Sequence, residues 1–285
     1  MARDGSGVVA LIGAGGKMGG RLLGKLGGDD QWSLRLSEKS PQAALRLRQQ
    51  GLEVVEPEAA VAQADVVVLA VPDRLIGAVS RSLVDHTRPG ALVLLLDPAA
   101  AVIGEVALRD GLSYAVCHPC HPPLFGEQET PEARRDFFGG VAAWQDLVLA
   151  LMQGPEEAYQ LALRLCRSAM GPVRHVHRIT VEQMALLEPA MAEVVGASAA
   201  MLMKEAMEEA IRRGVPRPAA ESFMLGHVQV PLAIFFGFLD AQVSDAAKIA
   251  MRWGATRVLR DDWRRVFEPD EVRAVIREML AGGAA

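Results

Sequence analysis

The sequence predicts an α/β protein, with an N-terminal doubly wound parallel sheet and an all-helical C-terminal domain. Three observations predict it. A glycine-rich turn joins an apolar run to a helical segment within residues 7–27. Short apolar runs then alternate with helical periods as far as residue 178, which indicates parallel strands covered on both faces. From residue 180 onward almost every segment has a helical period. We therefore expect domains at residues 1–178 and 179–285.

The glycine-rich turn is the first functional candidate. Residues 8–12 are continuously apolar, and the pattern G-x-x-G-x-M-G follows them. Such a Rossmann-type turn lets a pyrophosphate approach the backbone, and the helix start favours its negative charge. A glycine-rich turn without a ligand is the alternative. If the turn binds NAD, the contacting residues are expected to be Gly13, Gly15, Gly16, Lys17 and Met18.

An acidic residue follows the second predicted strand. Residues 32–36 alternate between apolar and polar. Glu38 lies 19 residues after Gly19, close to the roughly 20-residue spacing at which an acid bonds the adenosine ribose hydroxyls in Rossmann folds. A carboxylate there would repel a 2′-phosphate, so the sequence favours NAD over NADP. The alternative for Glu38 is a solvated surface residue at a strand end.

The α/β alternation continues through the N-terminal domain. Strands are predicted at residues 52–55, 65–71, 91–96, 113–116, 146–152 and 173–176, and helices at 57–63, 74–86 and 156–168. Ligands of open α/β sheets bind at the carboxyl ends of the strands. We therefore add Val71, Pro72 and Asp97, which lie at the carboxyl ends of two of these strands, to the expected cofactor-binding residues.

The C-terminal domain begins with a helix-start signal. Thr180 and Gln183 have the spacing of a capping box. We expect Pro189 to kink or restart a helix that Gly214 closes. Further helices are predicted at residues 219–239, at 244–253 after an N-cap at Ser244, and at 269–280. A helical domain this rich in Ala and Met is expected to bury its apolar faces in a homodimer.

The loop from Cys117 to His121 is the most unusual stretch of the chain. It follows a buried strand, so it should lie at the carboxyl edge of the sheet beside the nicotinamide. His118 or His121 can there accept a hydroxyl proton or bond a substrate carboxylate. Zinc is an alternative, although structural zinc sites normally join two separated ligand pairs and this chain has no second pair of cysteines. Histidines that only bond the loop backbone are the other alternative.

Acidic residues near Pro189 form a second candidate site. Glu193 and Lys204 share one helix face with small residues between them, and Glu188 precedes the proline. Glu188 and Glu193 are candidates for acid/base groups and for carboxylate ligands of Mg²⁺. Ordinary surface charge is the alternative, and it is preferred for Lys204. His227 is either a core histidine or a substrate contact.

Composition excludes several classes of function. The chain has 285 residues, of which 51% are hydrophobic and 23% are charged, and its net charge is −5. Without a Lys/Arg block, neither nucleic acid nor a membrane is an expected partner. No apolar run approaches 18 residues and the N-terminus lacks a signal-peptide core, so we expect a cytoplasmic protein. Three cysteines argue against a disulfide framework.

The glycine pattern, the Asp97-Pro98 turn, the His-Pro loop and the helical half together resemble the 6-phosphogluconate dehydrogenase-like superfamily. Within it, ALVLLLDPAAAVIGE and HPCHPPLF are similar to the D-apionate oxidoisomerase group. That resemblance implies oxidation of a branched hydroxy acid with NAD, followed by a skeletal rearrangement that uses a divalent metal. Prephenate dehydrogenases have a similar turn and an H-P-x-F-G loop, whose start His118-Pro119 matches. The lysine motif of β-hydroxyacid dehydrogenases is not found; Glu188-Pro189 stands in the equivalent helix.

The sequence thus predicts an NAD-dependent oxidoreductase acting on a small polyhydroxy carboxylic acid, with oxidoisomerase activity as its specific form. A prephenate dehydrogenase-like enzyme or another hydroxyacid dehydrogenase is the first alternative. A non-catalytic NAD sensor or scaffold is the second, because a fold does not fix a function.

Overall fold

The computed structural model describes residues 7–282 and divides the chain into two compact units. One unit contains the chain up to Ala185 together with the segment from Arg273 onward. The other unit is Leu186–Val272.

The first unit is built on a seven-stranded sheet. Its strands are β1 (Gly7–Ile12), β2 (Trp32–Ser37), β3 (Val66–Leu69), β4 (Leu92–Leu95), β5 (Ser113–Pro119), β6 (Gln145–Gln153) and β7 (Val173–Arg178). The spatial order is β2-β1-β3-β4-β5-β6-β7, and all neighbours are parallel except β5 and β6. The run predicted as a strand at 52–55 contributes one bridge, between Leu36 and Val54. The predicted Rossmann-type sheet is therefore confirmed.

Helices connect these strands. They are α1 (Lys17–Leu26), α2 (Pro41–Gln49), α3 (Pro57–Val61), α4 (Asp73–Leu83), α5 (Ala99–Val102), a 3₁₀ turn (Ala133–Arg135), α6 (Glu156–Ala169) and α7 (Val181–Ala185). No helix was predicted for α2 or α5. The Ser40 hydroxyl caps α2 by accepting from the Ala43 N–H. β2 and β3 flank β1 on opposite sides, so the connections that lead to these two strands run in opposite directions from β1. Their divergence leaves a crevice at the carboxyl ends of the strands.

The central strands form the core of this unit. Every residue of β3 and β4 is buried, as expected for parallel strands with helices on both faces. The largest fully buried side chains include Leu11, Leu94 and Leu149 from three different strands. This core holds the carboxyl edge of the sheet, and therefore the candidate site, on rigid elements.

The second unit is helical, as predicted. It contains a π-helical stretch (Leu186–Ala197), α8 (Ser198–Arg212), α9 (Arg217–Phe235), α10 (Asp245–Val258) and a 3₁₀ turn (Trp263–Phe267). A last helix, α11 (Pro269–Ala281), follows. Ser244 caps α10 through the Ala247 N–H, which confirms that predicted start.

The start of the long helix is confirmed, but the restart expected as one of two outcomes at Pro189 does not occur. The Thr180 N–H donates to Gln183 Oε1 at 2.9 Å and the Gln183 N–H to Thr180 Oγ1 at 3.2 Å, which is the predicted capping box. The helix neither ends nor restarts at Pro189, because Pro189 lies inside the π-helical stretch. Proline lacks an N–H and its ring crowds the carbonyl four residues earlier; the wider π-helical hydrogen bonding accommodates both.

The helices of the second unit leave much apolar surface exposed. Among the described residues, α8 and α10 contain no buried residue and α9 contains one, Ala220. The continuous helix Val181–Arg212 has 32 residues and is long and apolar enough to cross a membrane. Of its most apolar 18-residue segment, 11% is buried. Length and composition alone do not distinguish a membrane span from a helix covered by another protein chain.

Candidate active site

The glycine-rich turn has the geometry that the sequence predicts. The N–H groups of Gly13 and Ala14 donate to Ser37 O at 2.9 and 3.1 Å, which ties the turn to the end of β2. Gly13 has φ +87°, and a Cβ there would lie 2.5 Å from Ala70 O. Gly16 precedes α1 in an extended conformation, and no side chain caps the helix. The first N–H groups of α1, starting at Lys17, are therefore available to an anion.

Glu38 supports this turn directly. Its Oε2 accepts from the Gly15 N–H at 2.9 Å, and its Oε1 accepts from the Ser40 N–H at 2.8 Å. The carboxylate is thus fixed beside the glycine turn, at the end of β2 where the adenosine ribose binds in Rossmann folds. Glu38 is no free surface residue.

Val71 and Pro72 lie on the other side of the turn. A Cβ at Gly13 would be 3.1 Å from Val71 Cγ1, so the Val71 side chain packs beside the glycine-rich turn just beyond β3. Pro72 is the N-cap residue of α4. Both therefore lie at the crevice between β1 and β3, where their strand order placed them.

Asp97 and His118 are neighbours at the carboxyl ends of β4 and β5. These strands pair in parallel with Leu95 opposite Val116, which brings the two residues beyond them together. Asp97 Oδ1 accepts from the Ala99 N–H at 2.8 Å. Burial raises the pKa of Asp97, opposed by that hydrogen bond and by His118. Burial lowers the pKa of His118, while its bond to Leu96 and the Asp97 charge raise it. His118 is consequently disposed to be neutral and to accept a proton.

Backbone carbonyls fix the orientation of both loop histidines. His118 Nδ1 lies 2.9 Å from Leu96 O, and His121 Nδ1 lies 2.9 Å from Phe138 O. A carbonyl only accepts hydrogen bonds, so each Nδ1 carries the proton and each Nε2 is the proton-accepting nitrogen. The two rings meet edge to face with centroids 6.3 Å apart. His121 also has φ +60°, a conformation that its surroundings must stabilise.

A cavity of about 280 Å³ lies beside His121. Lys17 and Met18 of the glycine turn line it together with His121, so the structure brings three predicted residues to one space. Arg21, Phe138 and Gln145 also line it and were not singled out by the sequence analysis. The spacing of Lys17 and Arg21 on one helix was a usable signal, whereas nothing local pointed to Phe138.

The zinc alternative is not supported by the loop geometry. Cys117 is fully buried, with its Sγ 3.8 Å from Met170 Sδ in the core. A hydrogen bond with the neighbouring Cys166, together with burial, holds the pKa of the Cys117 thiol well above its usual range, which disfavours the thiolate that zinc requires. Within residues 7–282, no three His, Cys, Asp or Glu side chains gather in a metal-binding group.

Glu188 and Glu193 lie on the π-helical stretch of the second unit. Hydrogen bonds in a π-helix run between residues five apart, so two residues at this spacing lie nearly above one another. The two residues are therefore closer together around this stretch than they would be in an α-helix, where residues five apart lie on different faces. Mg²⁺ commonly takes one or two carboxylates plus waters and substrate oxygens, and two carboxylates fit that requirement.

Lys204 and His227 have local explanations. Lys204 is placed on α8, where it interacts electrostatically with Glu208. His227 Nδ1 is 2.9 Å from Phe223 O one turn earlier, and its ring stacks on the Phe223 ring at 3.8 Å. These contacts lie within single helical turns and give no separate support for a catalytic role.

Comparison with known proteins places this site in a family. Residues 8–98 match the family "NADP oxidoreductase coenzyme F420-dependent", and residues 126–280 match "Phosphogluconate dehydrogenase (decarboxylating) C-term". A D-apionate oxidoisomerase of Rhizobium rhizogenes is 45% identical over 95% of this chain and 99% of its own length. One of Cupriavidus necator is 44% identical over 95% and 98%.

A solved structure agrees with these relatives. It is described as a semialdehyde dehydrogenase NAD-binding protein from Cupriavidus necator in complex with calcium and NAD. It superposes with a TM-score of 0.93 at 44% identity, covering 96% of this chain and 99% of that one. The fold and the glycine turn thus define an NAD-binding oxidoreductase with a phosphogluconate dehydrogenase-like helical half. More particularly, the chain belongs to the D-apionate oxidoisomerase family.

Proposed function

We propose that this protein oxidises D-apionate with NAD and rearranges the carbon skeleton of the product. Four relatives at 40–45% identity over nearly the whole chain bear that name. The observation that carries the proposal is the pair His118 and His121, whose proton-accepting nitrogens are set by backbone carbonyls beside the cofactor turn. This arrangement suits removal of a hydroxyl proton.

The two histidines divide the work of the oxidation. His118 takes the proton of the substrate hydroxyl on Nε2, because burial keeps its imidazole neutral beforehand. Asp97 then stabilises the imidazolium by its negative charge. His121, in edge-to-face contact with His118, orients the hydroxyl. When bound, NAD supplies the hydride acceptor for this step.

The cofactor is held by the residues around the glycine turn. The N–H groups at the start of α1 bind the pyrophosphate, Glu38 bonds the ribose hydroxyls, and the crevice between β1 and β3 receives the nicotinamide half. The contacting residues are Gly13, Gly15, Gly16, Lys17, Met18, Glu38, Val71, Pro72 and Asp97.

Mg²⁺ is the proposed metal for the rearrangement. Glu188 and Glu193 would hold it, because the π-helical stretch brings the two residues closer together than an α-helix would. When bound there by Glu188 and Glu193, the ion would supply Lewis-acid chemistry for the rearrangement of the new ketone. Oxygen ligands of this kind suit Mg²⁺ better than softer metals.

We further propose a cytoplasmic homodimer, with residues 1–178 as the cofactor domain and 179–285 as the substrate and dimerisation domain. Phe223, Leu225, Ile249 and Trp253 are each more than 60% exposed. Apolar patches beyond a few hundred Å² are rare on monomers, whereas obligate dimers have large apolar interfaces. A second copy of the chain would cover this surface with the same surface of its own.

Formation of NADH from a panel of acids tests the proposed function. D-apionate, linear sugar acids and prephenate are supplied with NAD, each with and without Mg²⁺. We expect D-apionate to be turned over and the rearranged product to disappear in EDTA. Turnover of prephenate instead would favour the prephenate dehydrogenase alternative, and silence across the panel despite NAD binding would favour the sensor.

Variants assign the roles. His118→Gln should lower kcat by roughly 10²- to 10⁴-fold while NAD still binds. His86→Gln, on an exposed histidine at the end of α4, is the matched control. Glu188→Gln and Glu193→Gln should each raise the Mg²⁺ concentration needed for half-maximal rearrangement. If His118→Gln behaves like His86→Gln, His118 is not the base.

A further inference from the structure

One face of α1 carries a row of cations. Lys17, Arg21 and Lys25 are four residues apart, so they lie one above another along the helix. Lys25 has a structural partner, because its Nζ donates a hydrogen bond to Val141 O at 2.9 Å. Lys17 and Arg21 instead border the 280 Å³ cavity beside His121.

The ring of Phe138 positions both of these cations. Lys17 Nζ is 4.3 Å and the Arg21 guanidinium carbon 5.1 Å from the centroid of this ring. The His121 ring meets the same ring edge to face at 6.0 Å. A cation–π contact positions an ammonium or guanidinium group but leaves N–H groups that can still donate hydrogen bonds. Lys17 and Arg21 therefore lie against one ring beside His121 and keep N–H donors for a ligand.

Neither Lys17 nor Arg21 has an ion-pair partner among the residues that the structure describes. Within residues 7–282, neither the Lys17 ammonium nor the Arg21 guanidinium forms a hydrogen bond. Asp136 is close enough to feel the Arg21 charge, but its Oδ2 accepts from the N–H groups of Val141, Ala142 and Ala143 at 2.9–3.1 Å. Asp136 is therefore held on its own loop and attracts Arg21 only at a distance.

We propose that Arg21 binds the carboxylate of the hydroxy-acid substrate in this cavity and that Lys17, assigned above to the cofactor, adds positive charge beside it. This inference rests on the proposed function. Two cations that form no ion pair with the described residues, beside a mostly apolar space, fit a single carboxylate, which an arginine can bind through two parallel hydrogen bonds. With the carboxylate held there, the hydroxyl groups of the substrate are directed toward His121 and the adjoining His118. Arg21 is the specificity-determining residue of the pair.

The pyrophosphate of NAD is the competing ligand for the same cations. Lys17 is at the first position of α1 and can reach a phosphate at the helix start. Arg21 is one turn further on, which displaces it by about 5.4 Å along the axis, away from that phosphate. Its placement against Phe138 and beside His121 favours the substrate.

The test replaces the charge and keeps the stem. Arg21→Met, Arg21→Lys and the control Lys25→Met are compared in steady-state kinetics with D-apionate at saturating NAD, and in NAD binding measured by fluorescence. Lys25 is on the same helix face but does not line the cavity. We expect Arg21→Met to raise KM for D-apionate by about 10- to 100-fold, the range of one charge-assisted hydrogen bond. NAD affinity should change less than about twofold, Arg21→Lys should recover part of the loss, and Lys25→Met should resemble the wild type.

The second experiment repeats the kinetics with the neutral amide of the substrate in place of its carboxylate. The KM of the amide should be equal in wild type and Arg21→Met, because it has no charge for Arg21 to recognise. A loss that is the same for acid and amide, or a loss of NAD affinity with an unchanged KM for the acid, overturns the proposal. Thermal unfolding of each variant separates misfolding from weakened binding.

Failure of the proposed function is recognised separately. If the wild type does not turn over D-apionate, calorimetric titration with D-glycerate in the presence of NADH decides the carboxylate site. Binding to the wild type and to Lys25→Met but not to Arg21→Met supports the site. Equal binding to all three, or binding to none, overturns it.

Discussion

Gly19 and Gly20 are adjacent in α1 but have opposite surroundings. A Cβ on Gly19 would overlap Gly13 O and would lie 2.9 Å from the carbonyl carbon and Cα of Ala14. All of these are backbone atoms of the cofactor turn, so no side chain can move aside. A Cβ on Gly20 would meet nothing within 4 Å. Replacing each glycine by alanine therefore tests whether the third glycine of the turn is required by close packing.

The two variants share one energy term and differ in another. Both gain about 0.5–1 kcal/mol from replacing glycine by alanine inside a helix. Gly19→Ala also incurs an overpacking cost of about 1–3 kcal/mol, and the rigid backbone neighbours favour the upper end of that range. Gly20→Ala should be more stable than the wild type, and the difference between the variants should be about 1–3 kcal/mol in favour of Gly20→Ala.

Urea denaturation and NAD binding measure these effects. The urea midpoint should rise for Gly20→Ala and fall for Gly19→Ala at an unchanged m-value. Since the clash displaces the turn itself, Gly19→Ala should also weaken NAD binding by at least about tenfold. Equal stability and equal NAD affinity in the two variants would refute the reasoning, because the packing term would then be absent.

Three further predictions concern the site and the assembly. Asp97→Asn removes the charge that raises the pKa of His118, so the acid limb of the pH profile of kcat/KM should move to lower pH; a move to higher pH would contradict the pairing. Glu38→Gln removes the charge that repels a 2′-phosphate and weakens the support of Gly15, so the ratio of kcat/KM for NAD to that for NADP should fall at least about tenfold, and an unchanged ratio would count against the assignment. Ile249→Glu places a charge on the exposed apolar surface of α10, so light scattering should detect dissociation to monomers; a monomeric wild type would contradict the dimer.

The sequence predicted those parts of the fold that depend on local signals. Continuous apolar runs bounded by breaker residues identified strands such as β3 and β4, and the reciprocal bonds of Thr180 and Gln183 had the spacing of a capping box. The π-helical stretch could not be predicted in this way, because its hydrogen-bond pattern is a response to Pro189 within a continuous helix. The proposed metal site at Glu188 and Glu193 depends on that response.

The candidate site likewise contains residues that local sequence patterns predicted and residues that only the folded chain brings together. Gly13, Glu38 and His118 were predicted as site residues from their spacing and from their positions relative to predicted strands, and the structure places them at the carboxyl ends of those strands. Phe138 was missed because its partners are distant in sequence, and only the folded chain brings its ring to Lys17 and its carbonyl to His121. A loop organised by the carboxylate of Asp136 has no periodic signature to read.

The partners of the two histidines also determine what kind of base they form. A histidine whose Nδ1 donates to a carboxylate becomes a stronger base, because the negative charge stabilises its imidazolium. In this site both Nδ1 atoms donate to neutral carbonyls, and the nearby Asp97 acts on His118 only through space. Burial therefore outweighs charge at His118 and lowers its pKa. The oxidation of an alcohol needs a base that is neutral before the reaction. With a carbonyl at Nδ1, His118 stays neutral to lower pH than it would with a carboxylate at Nδ1.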